Sequence, residues 1–230
     1  MKSIGCLLFS ALVLASCATN AGVLEFDSAP LFGMIYDDDN QPCSGATLTL
    51  DGHAGPVSDI RGRFVLPDLS RGSHVLSVKK EGFETLEMTF DFLNRTDVLY
   101  LRVVSFTQLL SKAEQALRDR KWDQAEAYLG RAEKLDSKNS VYLYLRAIDM
   151  YKTAKFPQAI DALNAIVAKG DTDPYVYLFL ADIYQKDLND SAKAAESLQA
   201  YLSKRDDPDV EKRLQELKAA SGAGQGGKSP

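Results

Sequence analysis

Few side chains in this chain of 230 residues have the type and spacing to carry out a reaction. The two histidines, His53 and His74, each lack a second ligand at the separation a zinc site needs. Asp37-Asp38-Asp39-Asn40 gathers carboxylates as a calcium loop does, but it lacks the ligand alternation and closing Glu of such a loop. A turn between strands explains it more simply. There is no nucleophile elbow, no Gly-rich phosphate loop and no carboxylate pair in a catalytic context. Enzymatic activity, a metal, a cofactor and a small-molecule substrate are therefore not expected. Residues 25–104 carry 13 acidic and 7 basic side chains, and residues 105–230 carry 19 of each. Neither segment offers the basic surface that nucleic acid requires. Binding, not catalysis, is the expected function.

The cysteines point to a covalent attachment. Lys2 and the apolar run from Ile4 to Leu14 have the make-up of a signal peptide, and the run is shorter than the roughly 20 residues of a transmembrane helix. It leads into Leu14-Ala15-Ser16-Cys17, which resembles the lipobox of bacterial lipoproteins. The resemblance implies cleavage before Cys17 and a diacylglycerol on that residue, usually joined by an N-linked acyl chain such as palmitate. At about 0.8 kcal/mol per buried methylene, more than one chain makes the anchoring stable. Ala18, where Asp would retain such a protein in the inner membrane, favours the outer membrane, on its periplasmic or surface face. Cys6 falls in the removed segment. Cys43 then has no internal disulfide partner and reads as a small buried hydrophobe.

The elements that would hold a binding surface show in a repeat. Ala113, Ala147 and Ala181 are spaced by 34 residues, and Ala125, Ala159 and Ala194 follow at 34 and 35. Small residues at two fixed phases mark paired helices stacked into a solenoid, because a larger side chain would push the axes beyond about 8–10 Å. Trp122 and Phe156 open the second helix of their pairs, and the extra residue of the third unit falls in the turn Asp187–Asp190. Asp173-Pro174 and Asp207-Pro208 each set a capping carboxylate before a proline at the first helical position. A last helix, from Pro208 to about Ala219, carries Val210, Leu214 and Leu217 on one stripe, as a capping helix must. From Phe106 onward the pattern resembles the tetratricopeptide repeat.

That resemblance implies that the first helix of each pair lines a concave groove. The groove positions would be Thr107, Leu110, Glu114 and Leu117, then Val141, Tyr144, Ile148 and Tyr151, then Tyr175, Leu178, Asp182 and Gln185. Three tyrosines on one surface suit a protein or peptide partner, since they bury large area at low entropic cost. The alternative is that some of these side chains pack against neighbouring helices or the β domain. The family's carboxylate clamp needs Lys, Asn and Arg where Leu110, Glu114, Tyr144 and Leu178 stand, so capture of a C-terminal carboxylate is not expected.

Between Leu31 and Val104 short alternating runs are cut by Gly, Pro, Asp and Asn, the pattern of an all-β sandwich. The runs include Thr47 to Leu50, Arg63 to Leu66, His74 to Val78 and Asp97 to Val103. The stretches Gly33 to Asp37, Pro42 to Leu50, Asp59 to Leu69 and Gly72 to Phe83 resemble a carboxypeptidase regulatory-like domain. This implies a seven-stranded, transthyretin-like sandwich that serves as a spacer and has no active site. His74 reads as a packed core histidine and His53 as an exposed turn residue.

The expected protein is multidomain. A signal peptide (1–16) and lipidated tether (17–30) precede a seven-stranded all-β sandwich (31–104). An all-α domain (105–219) of three helix pairs and a capping helix follows, and then a disordered tail (220–230). The expected function is a lipid-anchored scaffold or adaptor of the cell envelope, with another envelope protein or peptide in its groove. The competing reading is a structural or surface-exposed lipoprotein whose sandwich meets matrix, glycan or host molecules.

Overall fold

The computed structural model describes residues 26–170 and 173–223. The signal peptide, Cys17, most of the expected tether and the tail from residue 224 lie outside them. No helix among the described residues is long and apolar enough to cross a membrane.

Among the described residues seven strands form two sheets. They are β1 (Ser28–Asp37), β2 (Thr47–Leu50), β3 (His53–Val57), β4 (Arg63–Ser70), β5 (Gly72–Lys79), β6 (Leu86–Phe92) and β7 (Val98–Val103). One sheet has the order β4-β1-β7, with β1 and β7 parallel, and the other β3-β2-β5-β6. Alternation sets the faces: in β1, Ala29, Leu31 and Ile35 are buried while Pro30 and Phe32 point out. Leu31, Ile35, Leu48, Leu76 and Phe92 meet between the sheets. The sandwich starts earlier than residue 31. Phe26 packs edge-on against Phe92 with ring centroids 5.2 Å apart, so the expected tether gives up its last residues to the core.

Two turns fix the register. Asp51 and Gly52, both at positive φ (47° and 80°), make the two-residue turn between β2 and β3 that matches strand twist. At Gly62 (φ 73°) an added Cβ would meet the Ile35 carbonyl at 2.4 Å, so only glycine fits. The same Gly62 offers its carbonyl to the Ile35 amide at 2.8 Å, joining the β3–β4 turn to β1.

His74 is buried, as expected of a core histidine, but both its nitrogens are engaged. Nδ1 lies 2.7 Å from Asp51 Oδ2 and Nε2 lies 2.8 Å from the Ser70 carbonyl. Both partners only accept, so the ring satisfies both only as the imidazolium. Burial works against the charge, but the hydrogen bonds to Asp51 and Ser70 and the Asp51 charge outweigh it and raise the pKa above 6.5. The hydrogen bond to His74 in turn lowers that of Asp51. A raised histidine contributes stability that is complete below its unfolded value and is lost as pH climbs through the folded one. A lowered Asp contributes above its unfolded value and is lost in acid. Urea midpoints of the sandwich are therefore expected to fall from pH 6 to pH 9, and the slope should vanish in His74→Gln.

Seven helices follow: α1 (Phe106–Arg118), α2 (Trp122–Asp136), α3 (Ser140–Lys152), α4 (Phe156–Val167), α5 (Pro174–Asp182), α6 (Ser191–Leu202) and α7 (Pro208–Ala223). All six phased alanines are fully buried, at the crossings where no larger residue fits. α1 and α3 close alike: Arg120 and Ala154 take φ near 60°, and the Lys121 and Lys155 amides reach back to the Ala116 and Met150 carbonyls at 2.8 Å. The third unit differs because it has one residue more. A π-helical turn (Ile183–Asp187) extends α5 and absorbs the insertion, and Asn189 takes the left-handed place. Asp173 and Asp207 cap α5 and α7 as expected, accepting from the Tyr175 and Asp209 amides. α7 runs to Ala223, four residues past the expected end, with Val210, Leu214 and Leu217 buried.

The two domains join without a linker. β7 ends at Val103 and the capping box of Ser105 starts α1. The acidic turn reaches across: Asp38 pairs with Lys112 at 2.6 Å, and Asp39 accepts from Gln108 at 2.6 Å. Nearby, Glu84 takes a two-pronged contact from Arg131 of α2, at 2.9 and 2.5 Å, and both Lys112 and Arg131 lie over the Tyr128 ring. Asp38 and Asp39 thus meet helical side chains while Asp37 accepts from the Asp39 and Gln41 amides of its own turn, and no group of residues able to hold a metal ion occurs among those described.

Candidate protein-binding groove

α1 and α3 lie side by side and open a cleft of about 690 Å³. Its walls include Thr107, Leu110, Glu114 and Leu117 from α1 and Val141, Tyr144 and Ile148 from α3. The helical period explains this: residues three and four apart share a face, so these positions form one stripe, and the alanine seam runs beside it. A second cleft of about 430 Å³ continues from the first across Val141 and Tyr144 to Asp173, Tyr175 and Val176 of the third unit. Val141 is 58% exposed, a branched apolar side chain left in solvent where the two clefts meet. Burial, helped by the Asp173 charge, raises the pKa of Tyr144, so its hydroxyl keeps its proton as a donor. Glu114 and Arg118 pair at 3.1 Å on the rim.

The remaining candidates are placed differently. Tyr151 lines neither cleft. Its half-buried ring packs against Phe156 and Phe179, with centroids 5.8 and 5.3 Å away, at the edge of the core between the second and third units. Tyr151→Ala is expected to cost about 2–3 kcal/mol of stability through lost packing, read as a lower melting temperature. Leu178 packs into the cluster that α7 completes with Val210, Leu214 and Leu217. Asp182 pairs with Arg213 of α7 at 2.8 Å, and Gln185 accepts from the same guanidinium at 2.8 and 2.5 Å. The capping helix therefore covers the third unit's share of the groove, and the open surface is that of the first two units plus Tyr175. Spacing along one repeat cannot reveal this, since α7 lies outside the repeat.

A further group escapes sequence reading. Asp149 of α3 is 1% exposed on the side away from the clefts, near Glu126 of α2 and 3.4 Å from the Arg146 guanidinium. Burial, and then Glu126, push its pKa up to about 6, while the hydrogen bond from Arg146 holds Glu126 low. The proton goes to the group that water cannot reach. A raised carboxyl costs stability above its folded pKa and is relieved as pH falls toward its unfolded value. Asp149→Asn is therefore expected to raise the melting temperature at pH 8 and to flatten its dependence between about pH 4 and pH 6.

The groove can hold an apolar segment. Its floor is apolar, and the carboxylates on its walls, Glu114 and Asp173, disfavour an incoming carboxylate. Its span of about 20 Å, two helix spacings, takes roughly six extended residues.

No family model matches the chain, and no curated protein matches it. Among solved structures it is similar to the OM64 TPR domain of Arabidopsis, at 18% identity and TM-score 0.44, over 50% of this chain and 94% of that one. It is also similar to the secretion chaperone SycD of Yersinia enterocolitica, determined with a peptide of the translocator YopD (16%, 0.45, 50% and 93%). A third likeness is to the TPR2AB domain of yeast Sti1 in its pHSP90 complex (22%, 0.45, 52% and 48%). Likenesses this remote bear on neither activity nor partner. The helix pairs repeat at 34 residues with buried alanines at both crossings, and the C-terminal half of this chain accordingly has the tetratricopeptide-repeat fold.

Proposed function

We propose that the protein is a lipid-anchored adaptor of the bacterial cell envelope that holds an apolar segment of another envelope protein in the α1–α3 groove. The observation that carries this reading is the pair of adjoining clefts with Val141 and Tyr144 as shared wall. An exposed apolar surface of this extent is costly in water and repays burial by a partner. In this reading Cys17 carries the lipid, most consistently at the outer membrane. The sandwich, of carboxypeptidase regulatory-like kind, sets the groove off from the bilayer. The protein binds and does not catalyse.

Affinity capture of the full lipoprotein from cells, beside a Tyr144→Ala/Tyr175→Ala variant, tests the groove. One envelope protein retained by the native form and lost by the variant is expected. Equal capture by both forms places the contact elsewhere and overturns it. The anchor has its own test: the mass of the N-terminal peptide from cells should show acylated Cys17, and a free Cys17 refutes that part.

A further inference from the structure

The large apolar side chains that the sandwich leaves in solvent are unevenly placed. On the outer face of the β4-β1-β7 sheet, Phe32 stands between Val65 and Val98 in cross-strand register, and Tyr100 stands beside Met34 one step along. Phe32 is 53% exposed and Tyr100 67%. The other sheet is a control within the molecule. There Thr49, Ser77, Glu87, Thr89 and Asp91 stand on the outer face, with Val57 and Val75 as isolated apolar exceptions. Charge follows the same division. The apolar stripe is rimmed by Arg63, which pairs with Asp59 at 2.7 Å, and Arg102, which donates to Asn40 at 2.7 Å. No carboxylate occupies the positions of Phe32, Met34, Tyr36 or their cross-strand partners, and the one exposed carboxylate within these three strands besides Asp37 at the end of β1 is Asp68, in the bulge of β4 beyond Val65.

We propose that this sheet face rests on an anionic phospholipid bilayer. The proposal builds on the lipid-anchor reading. Cys17 to Phe26 is a tether of nine peptide steps, which at 3.3–3.6 Å each reaches at most about 30 Å. It leads directly into β1, the central strand of the apolar face, so a bilayer holding Cys17 lies within reach of the stripe. Aromatic rings with an arginine rim suit the boundary between headgroups and acyl chains. The acidic remainder of the sandwich is repelled from the same surface, so charge orients the contact. Its exposed apolar side chains, Phe32, Val65, Val98 and Tyr100, are far fewer than the roughly 20–30 residues a side of a stable protein interface. A tethered contact needs less, because the anchor already supplies a high local concentration.

The test places a tryptophan on each sheet. Trp122 is first changed to Phe, the residue that fills the matching place at Phe156 in the next unit. Tyr100→Trp and Thr89→Trp are then made separately in the chain from Cys17 onward. Each is coupled through the Cys17 thiol, Cys43 being buried, to maleimide phospholipid in phosphatidylethanolamine–phosphatidylglycerol vesicles containing brominated phosphatidylcholine. This supplies an anchor whether or not cells attach one, so a failed anchor reading shows only in the mass of Cys17. The expected result is that Tyr100→Trp loses most of its emission to bromine while Thr89→Trp keeps its own. Equal emission from both overturns the proposal. So does shielding of Tyr100→Trp that grows with protein density on the vesicle, the mark of a second copy on this face.

Discussion

Val141→Asp is expected to abolish partner capture and leave the fold unchanged. Val141 sits at the second helical position of α3, is 58% exposed and forms part of both clefts. The substitution therefore removes no core contact, and its carboxylate joins the end of α3 where negative charge is favourable. In the complex the same carboxylate would lie against an apolar segment, and the neighbouring cations are already engaged: Arg118 by Glu114, and Lys169 by the Ser140 hydroxyl and the Lys138 carbonyl. Burying an unpaired charge is among the costliest changes an interface can suffer. A weakening of at least about 100-fold, near 2.7 kcal/mol, is expected. Titration of the captured segment measures it, with circular dichroism as the check on folding. Unchanged affinity would move the binding surface out of this groove.

The largest effect on stability is expected from Gly33→Ala. Gly33 pairs with Phe64 across β1 and β4, and the phenyl ring lies over the glycine. An added Cβ would come within 2.1 Å of Phe64 Cζ and 2.8 Å of the Leu99 carbonyl oxygen on the other flank. One obstacle is backbone, and the other is a ring buried in the core at 3% exposure. The ring has to leave its place, which forfeits a contribution of about 3–5 kcal/mol, the cost of deleting a buried phenyl ring. Small domains hold only about 5–15 kcal/mol in all. A urea midpoint far below that of the unchanged chain is expected, with the sandwich unfolding before the helices. A shift of a few tenths of a molar would show that β1 and β4 can part to admit the methyl group.

Much of the architecture is legible in the chain because its constraints are local or periodic. The alanines at 34-residue spacing mark helix crossings, and all of them are fully buried. The capping carboxylates of Asp173 and Asp207 and the strands Thr47–Leu50 and Val98–Val103 follow from short-range chemistry in the same way. β3 is harder to read, because Gly55 and Pro56 look like breakers and are tolerated only on a sheet edge. The groove is legible in its first two units, where face follows from period. Its third unit is not, because Arg213 and the apolar stripe of α7 cover Leu178, Asp182 and Gln185 through a tertiary contact that no repeat spacing encodes. Tyr151 fails for a related reason: its position on the helix is that of a groove residue, yet Phe156 and Phe179 draw the ring inward. The acidic turn and Asp149 owe their surroundings to packing between domains and between units, and such packing leaves no trace in spacing.

The central claim is that a partner lies in the α1–α3 groove, and site-specific photo-crosslinking in living cells tests it most directly. A photoreactive amino acid is placed at Val141, and in a second strain at Glu196, which stands on α6 away from both main clefts. The account predicts one discrete crosslinked product from Val141, absent from Glu196 and lost when Tyr144→Ala is added. A product from Glu196 with none from Val141 would contradict it.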